Sequence, residues 1–242
     1  MAEEMNETER YYREAINDPY KCMETVKKAP WSIRYAKEQT LELCMEAVQN
    51  DGEVLAYVKE QTPEICMAAV KNCGWALEYV KEQTPDICMA AINSNGLALQ
   101  YVKEQTPDIC MAAVKNSGWA LEYVKEQTPE ICMAAVQENF RAIRFVKEQT
   151  PEVCMTAVNE SAKALQYIEH QTPEMFIAAM KHDSRAVNYI SEECAKSLIN
   201  NVEKRISNGQ AVKPEEYYAY QNLTAELEPI NSEVDMNEDF EM

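Results

Sequence analysis

The residues with the most capacity for chemistry are nine cysteines, and seven of them, Cys22, Cys44, Cys66, Cys88, Cys110, Cys132 and Cys154, recur at an interval of 22 residues. Such a ladder could hold metal ions or stack disulfides, and spacing argues against both. Equivalent positions in stacked helical repeats lie about 10 Å apart, beyond the roughly 7 Å Cα separation that a disulfide can bridge. There is no Cys-x-x-Cys pair, and the two histidines, His170 and His182, fall in a late, less regular stretch, so zinc spacing is absent. The ladder cysteines are therefore expected to act as small apolar residues at tight helix contacts. Cys73 and Cys194 stand off the ladder, and Cys73, in a turn, is expected to be the more exposed thiol. With no glycine-rich phosphate loop, nucleophile elbow or metal motif, the expectation is a non-enzyme without catalytic residues, cofactor or metal.

A second set of residues could recognise rather than react. Trp31, Trp75 and Trp119 are 44 residues apart, one in every second unit. Tryptophan is enriched at interaction hot spots, although each ring could equally close the groove between repeats. Outward positions of the same helices vary along the chain: Arg34, Ala56, Glu78, Gln100, Glu122, Arg144, Gln166 and Asn188. Positions that vary on a constant scaffold are where a repeat protein encodes specificity. The candidate partner-binding residues are therefore Trp31, Trp75, Trp119, Arg34, Glu78, Gln100, Glu122 and Arg144. The Gln of each Gln-Thr pair is expected to bond free backbone groups at its turn, since a buried amide must be satisfied. The aromatic column (Tyr35, Tyr57, Tyr79, Tyr101, Tyr123, Phe145, Tyr167, Tyr189) reads as rings in the core with hydroxyls at the edge, and the Met after each ladder Cys as filler between helix layers.

The elements that must position these residues follow from the same period. In the unit Thr62–Gln83, Thr62 can cap a helix, Pro63 suits its first position and Glu64 lies near the positive end of its dipole. Helix A runs from Pro63 to about Asn72, with Ile65, Cys66, Ala69 and Val70 on one arc. Cys73-Gly74 breaks it, as a C-terminal glycine would. Helix B is expected from about Trp75 to Glu82, with Gln83 inside its apolar arc and its Lys-Glu pairs on a solvated face. Each helix is too short to be stable alone in water, so stacking must stabilise it. Eight units can be counted, with caps at Asp18, Thr40, Thr62, Thr84, Thr106, Thr128, Thr150 and Thr172. The expected fold is all-α: an α-solenoid of about eight 22-residue helix-turn-helix repeats over residues 18–191. A polar lead-in helix occupies 1–17, capping helices occupy 192–225, and an acidic tail over 226–242 is expected to be disordered.

Ala-Leu-Glu-Tyr-Val-Lys-Glu at 76–82 and Ala-Ala-Val-Lys-Asn at 68–72 recur from about 18 to 190, and the unit so defined resembles a two-helix repeat family catalogued as a domain of unknown function (four-one-one-six), known from bacteria, amoebae and large DNA viruses. The resemblance implies the helical fold and brings no activity with it.

Charge bounds the partners. With 41 acidic and 23 basic residues the net charge is −18, which repels nucleic-acid backbones and anionic membranes and favours a basic protein surface. The polar, acidic start and apolar runs of about six residues indicate neither signal peptide nor membrane span, and unpaired cysteines suit a reducing cytoplasmic setting. The leading expectation is a protein-binding scaffold with an extended acidic surface. One alternative is an inhibitor of a nucleic-acid-binding machine, of the phage anti-defence or anti-CRISPR kind. A DNA mimic should spread acids evenly, whereas between residues 62 and 149 acids outnumber bases by only three. The other alternative is a peptide or small-molecule binder in the solenoid groove. The oligomeric state is left open.

Overall fold

A computed structural model of the chain describes residues 7–227. Among these residues there is no strand; the chain is all-α, built as a solenoid in which α-helices alternate with short 3₁₀ helices. It divides into two compact units, one up to Phe145 and one from Val146. The first contains α1 (Glu7–Ala15), α2 (Cys22–Lys28), α3 (Leu41–Asn50), α4 (Pro63–Asn72), α5 (Pro85–Ser94), α6 (Pro107–Asn116) and α7 (Pro129–Glu138). Between and after α2 to α7 stand the 3₁₀ helices η1 (Pro30–Tyr35), η2 (Gly52–Tyr57), η3 (Gly74–Tyr79), η4 (Gly96–Tyr101), η5 (Gly118–Tyr123) and η6 (Phe140–Phe145). The second unit holds α8 (Pro151–Glu160), η7 (Ala162–Tyr167), α9 (Pro173–His182), η8 (Ser184–Tyr189), α10 (Glu192–Ser207) and α11 (Pro214–Leu227), with α11 packed on both α9 and α10. Of the segment expected to be a disordered tail, residues 226 and 227 close α11 and the rest lies outside the described residues, as do residues 1–6.

Helix A forms for the reasons its sequence suggests. The Thr62 hydroxyl accepts the Ile65 amide at 3.4 Å and Pro63 occupies the first turn. The Glu64 carboxyl is held below the usual carboxylate range by its own backbone amide and then by the Thr62 hydroxyl. Ile65, Cys66, Ala69 and Val70 are all buried. The first repeat departs from this pattern. Asp18 accepts the Tyr20 amide in a turn, and α2 begins only at Cys22, behind Lys21, which makes no side-chain cap bond.

Helix B is not the α-helix expected over 75–82. Each copy in the Gly74 register is a six-residue 3₁₀ helix that ends at the residue of the aromatic column; after Tyr79, Val80 turns extended at φ −70°, ψ 117°. Lys81 and Glu82, which an α-helix would place on its last turn, form a loop with Gln83. The tight winding keeps residues i and i+3 on one face, so Gly74 sits over Leu77 and Trp75 over Glu78. Leu77 and Ala76 are fully buried.

Gly74 also has another purpose than the expected helix stop. The cap residue after α4 is Cys73 in extended conformation, and the one positive-φ glycine of the described residues is Gly209. A Cβ on Gly74 would instead lie 2.7 Å from the Ala91 carbonyl oxygen and 2.9 Å from the Asn95 Cβ of the next repeat. Glycine is there because two repeats touch at that point.

The Gln ladder bridges successive repeats. Gln83 Nε2 donates to the Tyr101 carbonyl at 2.9 Å and to the Leu77 carbonyl at 3.4 Å, while Oε1 accepts the Lys103 amide at 3.0 Å. Asn17 does the same job for the first repeat, donating to the Tyr35 carbonyl at 3.0 Å and accepting the Lys37 amide at 2.9 Å. Gln is thus a structural hub, as expected, although it acts from the loop and not from within a helix. Two features of the ladder go beyond the sequence expectation. The buried Cys88 thiol lies 3.7 Å from Gln83 Oε1 as a weak donor. Lys103 Nζ reaches back to the Lys81 carbonyl at 2.9 Å, so these lysines are part of the stitching and not only a solvated face.

Candidate functional site

All nine cysteines are free, seven of them buried; Cys22 and Cys73 are half-buried, so Cys73 shares its greater exposure with Cys22. Burial pushes the thiols of Cys44, Cys66, Cys88 and Cys110 above their ordinary value. For Cys154 burial and then Glu169 carry it to about 11. Such thiols are neutral packing groups at neutral pH. Among the described residues no group of His, Cys, Asp and Glu is arranged to hold a metal ion, and no helix is long and apolar enough to cross a membrane.

The eight candidate recognition residues do not form one site. The 3₁₀ geometry sorts them into three clusters, because Trp and the variable residue three positions on share a face. In the first, the half-buried Trp31 meets Tyr35 edge-on at 6.3 Å and Tyr12 at 5.1 Å. The Arg34 guanidinium lies 5.3 Å from the Trp31 ring, 4.6 Å from Tyr35 and 5.8 Å from Tyr57, and pairs with Glu9 at 3.0 Å. Its bond to the Tyr35 hydroxyl, above all, raises its pKa.

In the second cluster Trp75, Glu78 and Gln100 line one open recess together with Glu53, Tyr79 and Tyr101, about 420 Å³ in volume. Trp75 is half-buried and stands edge-on to Tyr101 at 6.0 Å and 81°. Both tyrosine hydroxyls are held above their ordinary pKa, by partial desolvation first and then by the Glu78 carboxylate. The Cys73 thiol lies 3.7 Å from Glu53, on the near wall, and Gln100 donates to the Leu97 carbonyl at 3.2 Å.

The third cluster is plainer: Trp119 meets Phe145 at 5.7 Å, with Glu122 exposed on the same face of η5 and Arg144 exposed on η6. Glu9 and Glu53 were missed by sequence reasoning, and the rings of Tyr35, Tyr57, Tyr79 and Tyr101, expected in the core, are half-buried at Tyr35 and Tyr101 and exposed at Tyr57 and Tyr79. The 44-residue step from Glu9 to Glu53 matches that of the tryptophans and was the available signal.

This is a repeat scaffold: short helix pairs stitched by backbone-directed side chains, with variable residues riding on the 3₁₀ helices. Four overlapping matches, over residues 40–84, 62–106, 84–127 and 106–150, show that the repeats of this stretch are of the kind described as Domain of unknown function (DUF4116). No curated protein and no solved structure matches the chain.

Proposed function

We propose that the protein is a non-enzymatic, cytoplasmic protein-binding scaffold whose outward 3₁₀ faces hold a partner with a basic surface, without direct contact to nucleic acid or membrane. The observation that carries this reading is the recess at Trp75, where exposed aromatic edges and two carboxylates, Glu53 and Glu78, face solvent above a fully buried layer. Aromatic anchors ringed by charge are the composition of an interaction hot spot. Along this column the carboxylates alternate with Trp, Leu and Gln, which supports a protein surface over a regular duplex mimic. Capture of the tagged full chain's partners at modest salt, read by mass spectrometry, tests it. A basic protein should be retained and then released near 1 M salt, where the screening length falls to roughly 3 Å. Finding no retained protein would count against the scaffold reading. Deleting residues 226–242 in parallel separates the tail from the repeat surface.

A further inference from the structure

We propose that the recess lined by Trp75, Tyr79 and Tyr101 receives one arginine side chain of a protein partner, the guanidinium lying against the rings and pairing with Glu53 and Glu78. The inference rests on the scaffold reading above and names the chemistry at one of its contacts.

The chain carries its own precedent. Stepping back 44 residues takes Glu53, Trp75, Glu78, Tyr79 and Tyr101 onto Glu9, Trp31, Arg34, Tyr35 and Tyr57. Four of the five positions keep their residue type, and the fifth exchanges glutamate for arginine. In the earlier copy that arginine fills the aromatic set from within. Its guanidinium carbon is 4.6 to 5.8 Å from the three ring centroids and its Nη2 is 3.0 Å from Glu9. Rings of the same types in the same register thus hold a guanidinium beside a carboxylate there, although Trp31 is paired with Tyr35 where Trp75 is paired with Tyr101.

In the later copy the internal cation is gone and a second acid stands in its place. The charge of the set passes from balanced to doubly negative, and the rings and carboxylates line an open recess of about 420 Å³. What this copy lacks, relative to its twin, is a guanidinium. A planar guanidinium can stack on aromatic faces and fork two acceptors at once, whereas an ammonium offers only a point charge. The third copy, Leu97, Trp119, Glu122, Tyr123 and Phe145, has lost one acid and one hydroxyl, so the second is the best-equipped receptor.

The test uses the full chain and three small probes at equal ionic strength: N-acetyl-arginine methylamide, the lysine analogue and the uncharged citrulline analogue. The Trp75 indole N–H resonance should shift saturably with the arginine probe, with an affinity about tenfold above that for citrulline. Trp31, whose rings already hold Arg34, should stay still. Glu78→Arg should supply the cation internally and abolish the Trp75 response, with unchanged Trp119 and Trp31 signals reporting an intact fold. Glu53→Gln, a milder change, should weaken binding several-fold, and Arg34→Ala should create a response at Trp31. A Trp75 signal that ignores the arginine probe, moves equally with lysine or citrulline, or survives Glu78→Arg overturns the proposal. These probes report on the recess alone. A partner captured equally well by the Glu78→Arg chain would leave the scaffold standing while this inference falls.

Discussion

The repeats of the first unit and those of the second solve the same packing problem with different residues. Around Gly74 the ladder is Gly, Cys and Lys: Gly74 admits the Ala91 carbonyl, Cys88 donates to Gln83, and Lys103 bonds the Lys81 carbonyl. In the second unit Ala162 and Ser184 stand at the glycine position, Cys154 and Lys147 keep the ladder, and further along Phe176 replaces the cysteine and Glu169 and Ser191 the lysine. The Gln hub survives. Gln171 donates to the Leu165 and Tyr189 carbonyls at 2.8 and 3.0 Å and accepts the Ser191 amide at 2.7 Å. The shared element is the one that satisfies main-chain groups at the junction of two repeats. The exchanged elements only fill volume or add one bond, and volume can be filled in more than one way.

The sharpest way to break this comparison is to force the ladder residue back into the one repeat of the second unit that has lost it. Phe176 is fully buried, so Phe176→Cys, although it restores the repeat consensus, should cost about 3 kcal/mol by opening a cavity. Urea denaturation of the variant checks it, and a neutral result would mean that the second unit collapses onto cysteine as readily as the first. Next in size, Gln83→Ala and Gln171→Ala should each cost about 2 kcal/mol, because each strands two carbonyls and one amide. If one is silent in thermal melts while the other is not, the hub is not common to both units.

A reciprocal pair follows. Gly74→Ala should destabilise by about 1–2 kcal/mol, since its Cβ meets backbone at 2.7 Å, whereas Ala162→Gly should cost roughly 0.5–1 kcal/mol through chain entropy and lost packing. Midpoints of chemical unfolding for the two variants decide whether the two positions truly differ in space.

The smallest effect is electrostatic. Beside Cys88, Lys103 opposes the rise caused by burial, whereas beside Cys154, Glu169 adds to it. A thiol ordinarily ionises near 9.0, and Cys154 is raised to about 11. A raised native pKa means that the folded state holds the proton more tightly. Stability from this site is therefore complete below pH 9 and is lost as pH climbs from about 9 towards 11. Glu169→Lys should shrink that alkaline loss, read as the difference in melting temperature between pH 7 and pH 10.5.

Much of the fold was legible in the residues alone. Thr-Pro-Glu at 62–64 announces a capped helix start, the four apolar residues Ile65, Cys66, Ala69 and Val70 declare its buried face, and the 22-residue period demands stacking. The Gln-Thr pair pointed to backbone bonding because a recurring, half-buried amide has few other uses. The candidate site was legible only in part. Trp75, Glu78 and Gln100 were marked as outward positions, but their meeting with Glu53, Tyr79 and Tyr101 depends on winding and on the neighbouring repeat, which no local pattern encodes.

The period, the helix A boundaries, the caps and the buried stripe were determined by the sequence itself, because capping, proline geometry and apolar spacing act within a single turn or two. The helical type of the second segment, the reason for glycine at 74 and the seating of Arg34 among three rings were decided only by tertiary structure. The physical reason is that α and 3₁₀ windings differ little in local energy over six residues. The choice falls to contacts 17 to 20 residues away: the Ala91 carbonyl against Gly74 and the Lys103 amide on Gln83.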